Sequence, residues 1–221
     1  MRSSKLRVVH AALCVAEGIL LTVVTFFQCT TCSECVRLKT ILVQEILEEH
    51  PLDIKIVKER LTKHGDFKRT IHNKVQITIN NNLNQYQFLL TLVHELAHFV
   101  TFKKNNRVKP HGIEWKRNFQ HLMLPFLNPT IFPEDLLPLL ANYLINPKAS
   151  TGSDVNLTFA LKHYDDNSGK SFIFELQHGS VFLFKNKTYR KGNIKRTRYE
   201  CIEMKSKKVY LFNQNAEVKT L

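Results

Sequence analysis

Beyond residue 35 the sequence contains a single cysteine. The five cysteines are Cys14, Cys29, Cys32, Cys35 and Cys201, so four of them lie near the start of the chain. Small secreted domains that depend on disulfides distribute paired cysteines along their length, and this arrangement excludes such a framework. We therefore expect the body of the protein to work in a reducing compartment, the cytoplasm.

The sequence also lacks an uninterrupted apolar run long enough to cross a bilayer, which needs about 20 residues. Residues 8–27 are mostly apolar, but His10, Glu17 and Gly18 interrupt them. A carboxylate inside a membrane span is costly, and no small-residue cleavage site follows the run. Membrane association is therefore not favoured. A protease anchored through residues 8–27 and facing the cytoplasm is the alternative.

The three cysteines at 29, 32 and 35 form C-x-x-C-x-x-C, part of an iron–sulfur or zinc ligand pattern. A fourth cysteine at useful spacing is missing, which argues against a metal cluster here. We interpret residues 1–36 as an atypical apolar, cysteine-rich extension.

Acidic residues are few, with 19 Asp and Glu against 32 Lys and Arg, a net charge of +13. Much of the excess lies in residues 185–208, where ten Lys or Arg against two Glu give +8. A basic block of this density is typical of proteins that bind a polyanion such as nucleic acid. A lysine-rich sheet that owes its solubility to its charge is the alternative.

The central motif is H-E-x-x-H, formed by His94, Glu95 and His98. Helix positions four apart share one face, so both imidazoles can reach one zinc ion while the glutamate turns to an attacking water. Residues 85–103 are apolar on most faces, which predicts a central, buried helix. Since buried histidines without a partner are costly, burial favours a metal site over a pair of core histidines.

A catalytic zinc site needs a third protein ligand, with its fourth position open for water. His111 precedes a helix that begins at Gly112, and the turn before it lets this imidazole fold back toward the motif. Glu114 and His121 are rival ligands, although His121 lies mid-helix and lacks the freedom of a loop. We therefore expect one Zn²⁺ ion on His111 and the two motif histidines.

The elements around the motif follow from periodicity. Asp53–Val57 alternates like a strand, residues 58–68 indicate a loop, and Val75–Asn80 is a strand with one buried side. We take Val75–Asn80 as the candidate edge strand, where an extended substrate could pair. Helices are predicted over residues 38–49 and from Pro133 onward.

Linker composition at residues 146–154 separates a domain over 37–148 from a basic, β-rich tail over 149–221. Six aromatic residues interleave with the cations of the tail. They are Phe182, Phe184, Tyr189, Tyr199, Tyr210 and Phe212. Such rings either stack on unpaired bases or pack a small sheet.

The candidate nucleic-acid-binding residues are accordingly taken from this tail. They are Lys191, Lys195, Arg196, Arg198 and Tyr199. Cations of this kind contact phosphates, whereas a tyrosine ring can stack on a base.

The H-E-x-x-H motif at residues 94–98, followed by H-G-x-x-W at residues 111–115, resembles the SprT-like (Spartan-like) zinc metalloproteases. The resemblance covers about residues 38–221, is strongest to bacterial SprT-like proteins, and is most specific in "PHGIEWK". It implies an α+β, zincin-like domain with a short sheet and an H-E-x-x-H helix. It also implies zinc on the three histidines and Glu95 as catalytic base. Better-studied members digest proteins crosslinked to DNA.

The chain departs from the family in two places. Many members end in a four-cysteine zinc ribbon, whereas this tail keeps a ribbon-like strand pattern but holds only Cys201, so a second zinc is not expected. Residues 1–36 match nothing in the family.

The sequence thus predicts a zinc-dependent endopeptidase that acts on protein or peptide substrates. DNA-associated proteins are the substrates that the resemblance implies, with DNA contacted through the basic tail. The rival hypothesis is a nucleic-acid-binding protein in which zinc is structural and proteolysis is slight or absent.

Overall fold

The computed structural model describes residues 43–45, 52–60, 62–69, 75–105, 107–165 and 169–221. The apolar run at residues 8–27 and the C-x-x-C-x-x-C motif lie outside these residues, as does most of the helix predicted over 38–49, of which residues 43–45 are helical. Within the described part of the chain, no helix is long and apolar enough to cross a membrane.

The chain is α+β and divides into two compact units, Met1–Ala149 and Ser150–Leu221. The first contains a three-stranded sheet of β1 (Asp53–Val57), β2 (Gly65–Arg69) and β3 (Val75–Asn80), in the order β1-β3-β2. β1 runs parallel to β3, and β2 runs antiparallel to it. The strands predicted at β1 and β3 are confirmed. The prediction that Val75–Asn80 is an edge strand is wrong, because β3 lies in the middle of the sheet.

β3 is central because it pairs with β1 along one edge and with β2 along the other, and both of its faces are also covered. Ile77 and Ile79 are fully buried on the apolar face, as the alternation predicted. The opposite face carries Thr78 and Asn80, which are also buried, beneath the side chain of Arg60. The guanidinium donates from Nη1 to Thr78 Oγ1 at 2.8 Å and from Nε to Asn80 Oδ1 at 2.8 Å. The Arg60 side chain thus covers the polar face of β3, which the sequence analysis predicted to be exposed to solvent.

The loop predicted over residues 58–68 is wrong in its last part, because β2 begins at Gly65. Its sequence, GDFKR, contains a glycine and three charged residues and has no strand signature of its own. The strand exists through pairing with β3, from Gly65 opposite Ile79 to Arg69 opposite Val75. This pairing is non-local, so the sequence of the segment alone does not indicate it.

Helix α1 (Gln85–Lys104) carries the H-E-x-x-H motif and is buried over most of its length, as predicted. The side chain of Asn84 caps its first turn by accepting from the amides of Tyr86 at 3.1 Å and Gln87 at 2.9 Å. Two lysines, 103 and 104, lie in the last turn, where the helix dipole favours positive charge. α1 packs against β2 and β3 and therefore fixes the motif beside the sheet.

Helix α2 (Ile113–Met123) packs its buried residues Trp115, Phe119 and Met123 against α1 and leads into a 3-10 turn at Leu124–Phe126. Helix α3 (Leu137–Ile145) begins later than the predicted Pro133. The Pro133 carbonyl instead accepts from the amides of residues 136 and 137 at 3.0 and 3.3 Å, which closes a turn before the helix.

The second unit begins with a 3-10 turn (Thr151–Ser153) and helix α4 (Val155–Lys162), whose N-terminus is capped by Asp154. A further 3-10 turn covers Ile173–Glu175. The remaining elements are β4 (Ser171–Phe172), β5 (Val181–Phe184), β6 (Lys187–Lys195), β7 (Arg198–Glu203), β8 (Val209–Asn213) and β9 (Glu217–Thr220). They form a six-stranded antiparallel sheet in the order β4-β9-β5-β6-β7-β8.

Three of the six aromatic residues of the tail, which the sequence analysis considered for base stacking, are buried in the core of this sheet. Phe182, Tyr189 and Phe212 are buried in one cluster, and Phe184 and Tyr199 pack against it. The alternation of aromatic and basic residues in the tail therefore serves mainly to build a sheet with one apolar face.

Candidate metal centre

Three imidazoles converge at the H-E-x-x-H motif of α1. His94 and His98 lie one turn apart on α1, and their Nε2 atoms are 3.3 Å apart. His111 reaches both from the segment before α2, with Nε2 2.9 Å from that of His98 and 3.2 Å from that of His94. The sequence predicted these three residues as a set, and the structure brings them together in one group that could hold a metal ion.

The backbone at His111 explains how the third imidazole reaches the helix. His111 has a φ of 57°, in the left-handed region that non-glycine residues rarely adopt. The turn is closed by Gly112, whose amide donates to the Lys109 carbonyl at 2.9 Å. A Cβ at Gly112 would lie 2.9 Å from that same carbonyl oxygen, so the turn requires glycine.

The rival ligands lie elsewhere. Glu114 and His121 are both exposed on α2 and do not belong to the cluster. His121 lies at the C-terminal end of the helix, two turns from its start. The structure therefore favours His111 as the third member of the group.

A single aromatic side chain forms the floor of the cluster. Trp115 is fully buried, and its ring centroid lies 4.7 Å from that of His94, 5.3 Å from that of His98 and 4.6 Å from that of His111. Behind it, the Phe119 ring stacks at 5.1 Å. In the sequence Trp115 stands only as the last residue of H-G-x-x-W, and its contact with all three imidazoles is visible only in the structure.

The environment keeps the three imidazoles neutral. Burial lowers the pKa of His94 to about 3, with a smaller contribution from His98 and His111. Burial also lowers the pKa of His98 to about 4, and that of His111 in the same direction. A neutral imidazole is the form that binds metal ions, so at neutral pH the ligands need not lose a proton first.

The remaining residue of the H-E-x-x-H motif, Glu95, is buried on the side of α1 that faces β2. Burial raises its pKa to about 8, and the nearby Asp66 carboxylate adds to the shift, while the backbone amide of Phe67 opposes it by donating a hydrogen bond. The Phe67 ring lies stacked with His98 at 6.3 Å between centroids. β2 is therefore part of the site, which the loop prediction for residues 58–68 missed.

The tail residues predicted to bind nucleic acid divide into two groups. Lys195, Arg196 and Arg198 are exposed around the turn between β6 and β7. Lys191 is buried, its ammonium donating to the Leu176 carbonyl at 2.5 Å. That ammonium also lies 4.1 Å from the centroid of the Tyr199 ring, which is itself half-buried. The predicted phosphate contact of Lys191 and base contact of Tyr199 are thus not supported by their positions.

A helix that presents two histidines to a third in the following turn, packed against a small mixed sheet, defines an α+β domain with a candidate metal centre. The model of the SprT-like family matches residues 36–131 of the chain. The match spans β1 to β3, α1, α2 and all three histidines, and it confirms the resemblance seen in the motifs. No curated protein matches the chain significantly, and no solved structure does.

Proposed function

We propose that the protein is a zinc-dependent endopeptidase. The observation that carries the proposal is the group of three Nε2 atoms, each within 3.3 Å of the other two, two of them on the helix that also carries the buried Glu95. The family match over the same residues supports it.

The donor set fits zinc in both spacing and chemistry. Tetrahedral zinc with nitrogen ligands at 2.0–2.1 Å holds those nitrogens about 3.3 Å apart, and the three pairs here are separated by 3.3, 2.9 and 3.2 Å. In a neutral imidazole each ring nitrogen is either a hydrogen-bond donor or an acceptor. Three such nitrogens that face one another therefore cannot all be satisfied by hydrogen bonds among themselves. One cation among them satisfies all three lone pairs.

The number of ligands favours a catalytic ion over a structural one. Structural zinc sites use four protein ligands, whereas catalytic sites use three and leave a position for water. Within the described residues, the group contains three histidines and no cysteine. This observation speaks for the endopeptidase and against the rival in which zinc only stabilises a nucleic-acid-binding fold.

The residues of the chain would divide the chemistry between them. Zinc, when bound, supplies a Lewis acid for the scissile carbonyl and acidifies the attacking water. Glu95 would accept a proton from that water and return it to the leaving amine, as general base and then general acid. Its raised pKa, about 8 without metal, lies near neutral pH, where one group can serve in both directions. Trp115 and Phe119 would exclude water from the protein side of the histidines.

The substrates would be proteins, and we propose DNA-associated proteins in particular. Three exposed cations at the β6–β7 turn, Lys195, Arg196 and Arg198, support this substrate class by offering contacts to phosphate. The sequence resemblance points in the same direction.

The test is a metal analysis of the purified chain combined with cleavage of an unfolded protein, casein, with and without single-stranded DNA. His94→Ala should lose both zinc and cleavage, because two imidazoles hold zinc far more weakly than three. Glu95→Gln should keep zinc and lose cleavage by about 10²-fold or more, since it removes the general base.

A matched control is His121→Ala, which removes an exposed histidine outside the cluster. It should retain both zinc and cleavage. Full cleavage by Glu95→Gln, or a parent chain that binds no zinc, would overturn the proposal.

A further inference from the structure

Glycine at position 65 leaves a space that the catalytic-site glutamate fills. A Cβ built on Gly65 would lie 2.6 Å from Glu95 Oε1 and 2.8 Å from Glu95 Cγ. It would also lie 2.7 Å from the Thr91 methyl. All three distances are shorter than contacts that real Cβ atoms make, so any side chain at residue 65 must displace Glu95 or its neighbour.

We propose that β2 positions the Glu95 carboxyl through Gly65, whose missing side chain leaves the space, here called the seat, that this carboxyl occupies. The inference rests on the proposed endopeptidase function, because it explains how the proposed base is aimed. It adds a residue of a strand that the motif does not contain.

The seat is a close contact between helix and strand. The bare Cα of Gly65 lets the Glu95 carboxyl approach the backbone of β2, with Oε1 only 2.6 Å from the position that a Cβ would take. A buried carboxyl confined in this way has a defined orientation, which a flexible glutamate in water lacks. The contact therefore selects one placement of Glu95 on α1.

The seat is rigid on the strand side. Gly65 pairs with the fully buried Ile79 of β3. The residues just before it are held by Asn80, whose amide donates to the His64 carbonyl at 2.9 Å and whose side chain donates to the Lys63 carbonyl at 2.9 Å. Gly65 therefore cannot retreat from α1 without breaking β3 contacts.

The seat is also rigid on the helix side. The Thr91 hydroxyl donates to the Gln87 carbonyl at 2.7 Å, which fixes the rotamer that points its methyl at Gly65. A methyl group added at position 65 thus cannot move away, because the backbone of β2 is held by its pairing with β3 and the Thr91 methyl is held by its rotamer. The Glu95 side chain is the part that must move, and a displacement of about 1 Å can lower a rate by 10²-fold.

The first arm of the experiment measures activity of the full chain carrying Gly65→Ala. We expect kcat for casein cleavage to fall by about 10- to 100-fold while KM and bound zinc remain those of the parent. Adding Thr91→Ser, which removes the methyl but keeps the hydroxyl bond, should recover part of the loss. Gly152→Ala is the matched control, because a Cβ there meets only Ser150 Oγ at 3.4 Å. An unchanged kcat, or a loss explained by lost zinc, would overturn the inference.

The second arm does not depend on peptidase activity, so it separates failure of this inference from failure of the proposed function. Thermal unfolding of the metal-free full chain is followed by the fluorescence of Trp115, the only tryptophan, which lies in the first unit. Gly65→Ala should lower the melting temperature by several degrees in the parent and by much less in Glu95→Ala, which lacks the two crowded atoms. Equal losses in both backgrounds would mean that the methyl does not meet Glu95.

Discussion

The three imidazoles face one another through their Nε2 atoms, and this arrangement decides how protons compete with metal. When one ring takes up a proton, its positive charge lies next to the other two imidazoles in a partly buried site. That charge makes protonation of a second ring less favourable. Burial lowers the pKa of His94 and His98 to about 3 and 4, and lowers that of His111. The cluster therefore disfavours protons more strongly than separate histidines would, while a single ion shared by all three is favoured.

The pH dependence of zinc affinity tests this electrostatic effect. A proton weakens zinc binding only near or below the pKa of the ligand, so a lowered pKa moves the loss to lower pH. Three histidines of ordinary pKa would lose affinity by roughly 500-fold between pH 7 and 5.5, whereas we expect less than about tenfold here. The measurement is competition with a chromophoric chelator in Glu95→Gln, which removes proton release by that carboxyl. A several-hundredfold loss would contradict the lowered pKa values.

At the residue scale, the sequence predicted what depends on local spacing. His94 and His98 share a helix face because they are four apart, and no tertiary information is needed to place them together. The role of His111 required a turn with a φ of 57°, for which the only local sign was the glycine that follows it. Gly65 and Phe67 join the site through strand pairing, and their contact with Glu95 has no signature in the sequence.

At the scale of elements, the two errors in the first sheet have one cause. β2 was taken for a loop and β3 for an edge strand, because neither assignment could include the pairing of β2 with β3. Both errors follow from this missing pairing, and Arg60 separately turns the polar face of β3 into buried surface by covering Thr78 and Asn80. Helices α1 and α2 were predicted well because their apolar periodicity is local.

Arg60 is accordingly expected to stabilise the sheet on which Glu95 rests. Arg60→Met keeps the apolar stem but removes the donors to Thr78 and Asn80, leaving buried acceptors without partners. We expect the free energy of unfolding to fall by about 1–3 kcal/mol. Urea unfolding followed by Trp115 fluorescence measures it. Lys58→Met, an exposed change in the same segment, should alter it by less than about 0.5 kcal/mol.

At the scale of the whole molecule, the positive charge belongs to two structurally different sets of side chains. Lys191 is a buried part of the second unit, with its ammonium on the Leu176 carbonyl and the Tyr199 ring. Lys195, Arg196 and Arg198 are exposed at the β6–β7 turn, and of these Lys195 pairs with Glu200 at 3.1 Å. A count of charges along the sequence could not separate these sets, because burial depends on which face of the sheet each residue occupies.

The exposed set carries the last prediction, that DNA binding by the full chain depends on the β6–β7 turn. Replacing Lys195, Arg196 and Arg198 together by Gln should weaken binding to all DNA sequences alike, because phosphate contacts carry no sequence information. The slope of log affinity against log salt should become shallower by about 2 to 3, near 0.9 per lost contact on duplex DNA. Fluorescence anisotropy with a labelled duplex at several salt concentrations measures both quantities.

The control for this prediction makes the same change in net charge on the first unit. Lys55, Lys58 and Lys103 are exposed there, and their joint replacement by Gln should leave the salt slope near that of the parent. An equal effect of both triple variants would mean that DNA responds to total charge rather than to this turn. Binding that does not change with salt would remove phosphate contacts as its basis.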